Sequence, residues 1–203
     1  MIAKNATGHR ALRELSSRAW MNSYFDRGME RAVTTYADLY EIVQKYPNSL
    51  IASTACLGGE LSTCVSNMLT CENVNDYEGR SEWYQRIIDF ITFCKNLFDD
   101  DFYIECAPAK SRDQVVVNKK LVDIANFFKV SMVIGSDAHY LKQLDRYVHK
   151  AYLNSKGGER EVDSFYEYSY LQSEQEIFEN LNLSFNNDNI ITIINFNSIK
   201  IYS

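Results

Sequence analysis

Asp137 and His139 are separated by one alanine in the run Gly135-Ser136-Asp137-Ala138-His139-Tyr140. In an extended strand, residues two apart point to the same face. The carboxylate and the imidazole would then project together, and Gly135 on that face would leave room beside them. Such a pair is half a site for Zn²⁺, Mn²⁺ or iron. The apolar run Met132-Val133-Ile134 leads into it, which places the pair at the C-terminal end of a strand. The same residues also read as a helix start, with Asp137 capping and His139 exposed, and for the triplet taken alone that reading comes first.

A second candidate is Cys56-Leu57-Gly58-Gly59-Glu60, between an apolar run from Leu50 to Thr54 and a helical stretch. Two glycines let backbone N–H groups face a ligand, and a helix N-terminus favours anions. A thiol there would have its thiolate favoured, the form a metal needs. A glycine-rich turn over a small buried thiol fits the same residues. Glu105, with Cys106 and Pro108, could line the same rim or be structural. His149 reads as a surface residue of a helix, and His9 as a helix-start or exposed residue. The acidic run Asp99-Asp100-Asp101 reads as a solvated turn. The alternation Tyr166, Tyr168, Tyr170 reads as one packed face of a strand. No phosphate-binding loop, dinucleotide fingerprint or Ser-His-Asp order is visible.

The elements that must hold these residues follow from hydrophobic period. His9–Phe25 and Tyr36–Tyr46 carry apolar residues at helical spacing, and Ser81–Phe98 is the longest amphipathic stretch. Ser49–Thr54, Phe102–Cys106 and Val130–Ser136 are short apolar strands, and Glu60–Cys71 is helical. Ser111 with Gln114, and Ser173 with Glu176, have capping-box spacing at two helix starts. Another helix is expected over Leu144–Leu153, and Phe165–Leu171 as an extended segment. Strand alternates with helix, which predicts an α/β fold with parallel strands covered by outer helices. Such folds build their sites at strand C-termini. Three strand–helix units are too few to close an eight-stranded barrel. The fold class expected is α/β, an incomplete, distorted β/α barrel.

Composition narrows the function. The chain has 203 residues, 46% hydrophobic and 24% charged, which suits one ordinary domain. A net charge of −6 is not that of a domain that grips nucleic acid by itself. No apolar run approaches the roughly 20 residues of a membrane span. The five cysteines, an odd number with no C-x-x-C pair, are expected to be free thiols. A cytoplasmic protein is expected. The segment after Asn182 turns Asn- and Ile-rich, so residues 1–180 are read as the domain and 181–203 as a poorly defined tail.

Several segments together resemble one family. Ile2-Ala3-Lys4-Asn5 through Gly8 and Leu12 resembles the "LAKNxxGxxNL" segment of the PHP (polymerase and histidinol phosphatase) domain of bacterial and phage DNA polymerase III alpha subunits. Cys56-Leu57-Gly58-Gly59-Glu60 is similar to its "CLGGE", and Phe102-Tyr103-Ile104-Glu105 to its "FYLE". Asp137-Ala138-His139-Tyr140 is similar to its "DxHY". Tyr170-Leu171-Gln172-Ser173 followed by Glu176 is similar to its "YLKSxEE". Leu153-Asn154-Ser155-Lys156-Gly157-Gly158 is similar to the forms in phages and their hosts. Order and spacing agree over residues 2–180.

The resemblance implies the C-terminal two-thirds of a PHP domain from a replicative DNA polymerase, a nucleotidyltransferase acting in DNA replication. It implies a divalent-metal (Zn, Mn or Mg) phosphoesterase-type site, to which Cys56, Asp137 and His139 map as ligands. The family's opening H-x-H, its D-H pair, a glutamate and the histidine before the "LAKN" segment would lie upstream of Met1. The polymerase palm would lie beyond Ser203. Arg10 stands where the family usually carries an aromatic residue. The metal is therefore expected to be incompletely held or absent, with no polymerase activity and little or no phosphoesterase activity from this chain alone. The alternative is a structural or partner-docking module with a vestigial site. Either way the expected partners are the remainder of the polymerase or other replisome subunits, with DNA reached through other domains and no membrane.

Overall fold

A computed structural model describes residues 1–26, 28–155 and 166–182. The tail expected from residue 181 lies outside them from residue 183 onward, as do Lys156-Gly157-Gly158 and Phe165. The chain divides into two compact units, residues 1–53 with 89–102, and residues 54–88 with 103–203.

The first unit opens with β1 (Ile2–Ala3), too short to show in a hydrophobic pattern, and α1 (Ala6–Met21). The Asn5 side chain caps α1 by accepting from the N–H groups of Thr7 and Gly8 at 2.9 and 3.0 Å. A β-carbon on Gly8 would lie 2.1 Å from the Ser49 carbonyl oxygen, so only glycine allows this approach. A hairpin follows, β2 (Tyr24–Asp26) against β3 (Met29–Arg31), where the helical pattern was expected to run on to Phe25. Asn22 closes α1 instead. Next come α2 (Tyr36–Lys45) and β4 (Leu50–Ser53). β4 pairs with β1, and the pairing is antiparallel, not the parallel arrangement expected. Ala11 and Leu15 of α1 and Ile42 of α2 are buried. Above them Glu14 accepts from Lys45 Nζ at 2.7 Å and Tyr46 Oη at 2.8 Å. Those two bonds, Lys45 first, hold its carboxyl down at about 2.

The second unit contains the βαβ motif. β5 (Phe102–Cys106) runs parallel to β6 (Ser131–Ile134), with Tyr103 opposite Ser131 and Cys106 opposite Ile134. Between them α5 (Arg112–Phe128) buries Val117, Leu121, Ile124 and Ala125 at helical spacing. Lys129 ends it in the left-handed region at φ 53°. Ser111 precedes α5 as expected but makes no side-chain cap. The Gln114 amide instead donates to Asn118 Oδ1 at 2.9 Å, and Asn118 donates to the Ala107 carbonyl at 2.9 Å. α3 (Glu60–Asn73) and the first turns of α4 (Tyr77–Phe98) belong to this unit, α4 contributing its last turns to the other. A 3₁₀ turn (Gln143–Asp145) leads into α6 (Arg146–Asn154). The expected capping box does open α7 (Glu174–Leu181), with Ser173 Oγ and the Glu176 carboxylate satisfying each other's backbone N–H groups. The α/β class and the parallel pairing of β5 and β6 follow the reading of the sequence.

Candidate metal centre

Two loops of the second unit carry the candidate residues. The first, after β4, turns at Ala55 with φ 60° and closes when the Gly59 N–H donates to the Cys56 carbonyl at 2.8 Å. A β-carbon on Gly59 would sit 2.3 Å from the Thr54 carbonyl oxygen, so this turn needs glycine. Cys56 is half-buried, and α3 begins at Glu60 behind it. The same loop is tied to β5, because Thr54 Oγ1 accepts from the Glu105 N–H at 2.9 Å.

The loop after β6 departs from the expected geometry. β6 ends at Ile134, so Asp137 and His139 are not strand residues. Asp137 lies in the left-handed region at φ 44°, which a short polar side chain tolerates. The turn nonetheless brings the two side chains together, with His139 Nε2 3.6 Å from Asp137 Oδ1. That is close contact, too long for a hydrogen bond. The His139 N–H donates to the Ser169 carbonyl at 2.8 Å, fixing the loop from the far side. Gly135 does make room, but for Glu105: a β-carbon there would lie 2.0 Å from Glu105 Oε1. Glu105 therefore belongs to this rim.

Cys56 and Asp137 line one cleft of about 30 Å³, with Pro108, Ser111, Ser136 and Tyr168 among its walls. His139 is not among the residues lining it and lies against Asp137. Among the described residues, no three of His, Cys, Asp and Glu converge as a set that could hold a metal ion. Sulfur, oxygen and nitrogen donors of suitable type are present, but they do not close on one point. The donor set as it stands does not fit a metal ion by itself.

His149 is a participant that the sequence reading placed on the surface. It is half-buried on α6, its ring 5.4 Å from His139 and 4.9 Å from Tyr166, with Tyr166 4.8 Å from His139. Burial first, then the neighbouring His139, push the His149 imidazole below its ordinary value. The signal available was the apolar stripe of α6, which leaves His149 on the opposite side. The tyrosine alternation is not a strand face: residues 166–168 form a bend and turn, and Tyr170 alone pairs with Tyr140, as a parallel bridge. Tyr140 Oη donates to the Tyr166 carbonyl, which anchors that turn. His9 is exposed on α1. Asp101 of the acidic run sits 2.6 Å from Lys4 Nζ.

Residues 1–109 match the family model described as the PHP domain. That match takes in Cys56 and Glu105 and stops before Asp137 and His139. Over 182 residues the chain is 44% identical to "Probable DNA polymerase YorL" of Bacillus subtilis, covering 89% of this chain and 14% of that protein. The same figures hold for "DNA-directed DNA polymerase" of Bacillus phage SPbeta. It is 31% identical over 149 residues to "DNA polymerase III subunit alpha" of Aquifex aeolicus, covering 73% of this chain and 11% of that one. The chain belongs to the PHP domain family. It spans about a seventh of the length of the relatives it matches best among these. Among the described residues, no helix is long and apolar enough to cross a membrane.

Proposed function

We propose that this chain is a PHP-domain segment of a replicative DNA polymerase of the alpha-subunit type, acting in DNA replication in the cytoplasm. In this reading residues 1–180 are the PHP segment. Cys56, Asp137 and His139 are its share of a divalent-metal, phosphoesterase-type site completed by residues outside the described set. The observation that carries it is the meeting of Cys56 and Asp137 on one cleft of the second unit, with His139 against Asp137. The 44% identity to a phage polymerase across nine-tenths of the chain supports the polymerase assignment.

PHP domains generally use divalent metals, which polarise a phosphoester and lower the pKa of bound water. A catalytic ion needs at least three protein ligands and an open position. The chain's own residues here do less: Asp137 lies against His139, the His139 N–H ties its loop to Ser169, and the glycines at positions 59 and 135 let the loops close. Polymerisation and DNA binding belong to other parts of such a protein, in keeping with the charge of −6. The second reading is a docking module with a vestigial site.

The deciding experiment purifies the chain, incubates it with Mn²⁺ or Zn²⁺, removes free ion and measures bound metal. The metal-site reading expects a substoichiometric, weakly held ion that His139→Ala abolishes. Metal binding that Asp137→Ala and His139→Ala both leave unchanged would sink the ligand assignment. No retained metal at any concentration would favour the docking reading. Little or no turnover is expected on nitrophenyl phosphate or single-stranded DNA, and robust turnover lost in His139→Ala would overturn that expectation.

A further inference from the structure

Gln172 is only 8% exposed, and each polar atom of its amide has a partner. Nε2 donates to the Pro108 carbonyl at 3.0 Å and to the Tyr168 carbonyl at 2.7 Å. Oε1 accepts from Asn180 Nδ2 at 2.8 Å, and Asn180, on α7, is buried as well. Carbonyls only accept, so turning the amide round would set its oxygen against two acceptors. The two carbonyls belong to separate segments. Pro108 follows β5, and Tyr168 lies in the turn at residues 166–168. Both line the cleft that Cys56 and Asp137 share. One buried side chain therefore joins two walls of that cleft, reaching Pro108 across 64 positions of sequence.

We propose that Gln172 is a positioning residue of this cleft: its amide fixes the gap between the Pro108 and Tyr168 walls, and through Asn180 it couples that gap to α7. The hydrogen bonds around the cleft form a frame that Gln172 closes. The Cys56 loop is tied to β5, where Thr54 Oγ1 accepts from the Glu105 N–H. The segment after β5 is held to α5, where Asn118 donates to the Ala107 carbonyl. On the other side, the His139 N–H ties the Asp137 loop to Ser169, the residue after Tyr168. β5 and β6 join the two halves at their base. Gln172 joins them again at the walls. A site holds its geometry only as firmly as the residues behind it are held. The proposal concerns the walls, and it stands with or without a metal ion in the cleft.

The test uses the whole chain and reads the cleft through the Cys56 thiol. Gln172→Glu keeps the shape and puts an acceptor where the donors were. Gln172→Met keeps the length and buries no charge, so it carries the test if Gln172→Glu does not fold. Asn180→Ala cuts the link to α7 alone. Each protein is treated with iodoacetamide, and alkylation of every cysteine is followed by peptide mass spectrometry. Cys56 lines the cleft, whereas Cys64, Cys94 and Cys106 are buried and report general loosening. Cys56 should react about threefold faster or more in the Gln172 variants, with the three buried thiols unchanged. An unchanged Cys56 rate in folded Gln172→Met overturns the proposal. So does a rise shared equally by all the thiols, which is what a merely structural residue would give. A smaller rise at Cys56 in Asn180→Ala supports the coupling to α7, and no rise there overturns that coupling. Bound metal is not read, so the proposal and the metal-site reading can fail separately.

Discussion

α5 and α6 flank β6 in the chain and follow opposite rules. α5 puts Val117, Leu121 and Ile124 into the core, and its polar residues lie outside, apart from the Gln114–Asn118 pair. α6 points Val148 and Tyr152 outward and holds Arg146 and His149 on its inner side. Both have helical periodicity, so period alone does not say which stripe is the core. What differs is what the neighbouring elements offer. β5 and β6 present Ile104 and Met132, which are buried. The inner side of α6 meets the imidazole of His139 and the rings of Tyr140 and Tyr166. The first helix makes the fold; the second brings a polar side to the candidate site and leaves an apolar side over.

Removing a core contact from α5 gives the largest expected effect. Leu121 is fully buried. Leu121→Ala should cost about 2–5 kcal/mol, a transfer loss plus an unfilled cavity. Urea or thermal melts read this directly, and a loss under 1 kcal/mol would mean that α5 is not the organising helix. Next is Asn118, fully buried, which accepts from Gln114 and donates to the Ala107 carbonyl. Asn118→Ala leaves two buried polar groups without that partner, at about 1–3 kcal/mol. The Ala107 loop borders the cleft, so metal retention should weaken as well. A stability loss with metal retention unchanged would separate the helix from the site.

The sequence disclosed the elements better than the site. α2 and β5 fall where their apolar spacing places them, and Ser173 with Glu176 forms the capping box that their spacing predicts. The similar spacing of Ser111 and Gln114 does not, because Gln114 is drawn to Asn118 inside the molecule. Local patterns fail where a tertiary partner competes. β1 and the β2–β3 hairpin were invisible because strands of two or three residues carry no period. At the site, adjacency of Asp137 and His139 was legible and its geometry was not. A strand face was expected, and a left-handed turn at Asp137 produces the contact. Glu105 against Gly135 and His149 against His139 join residues 30 and 10 positions apart in the chain. Those contacts depend on the register of β5 with β6 and on the turn before α6, which no local pattern encodes.

The smallest expected effect tests the other helix. Val148 is 71% exposed, so Val148→Ala removes little apolar surface from the core. Alanine is the better helix former by up to about 0.5 kcal/mol, since valine loses rotamer freedom against the preceding turn. In the isolated chain the change should therefore be neutral or slightly stabilising, while the same change on α5, at buried Val117, should be clearly costly. Paired melts of the two variants measure the asymmetry between the helices with the chemistry held constant. If Val148→Ala costs 1 kcal/mol or more in the chain alone, the chain itself already covers the outer face of α6. The contrast between the helices would then disappear.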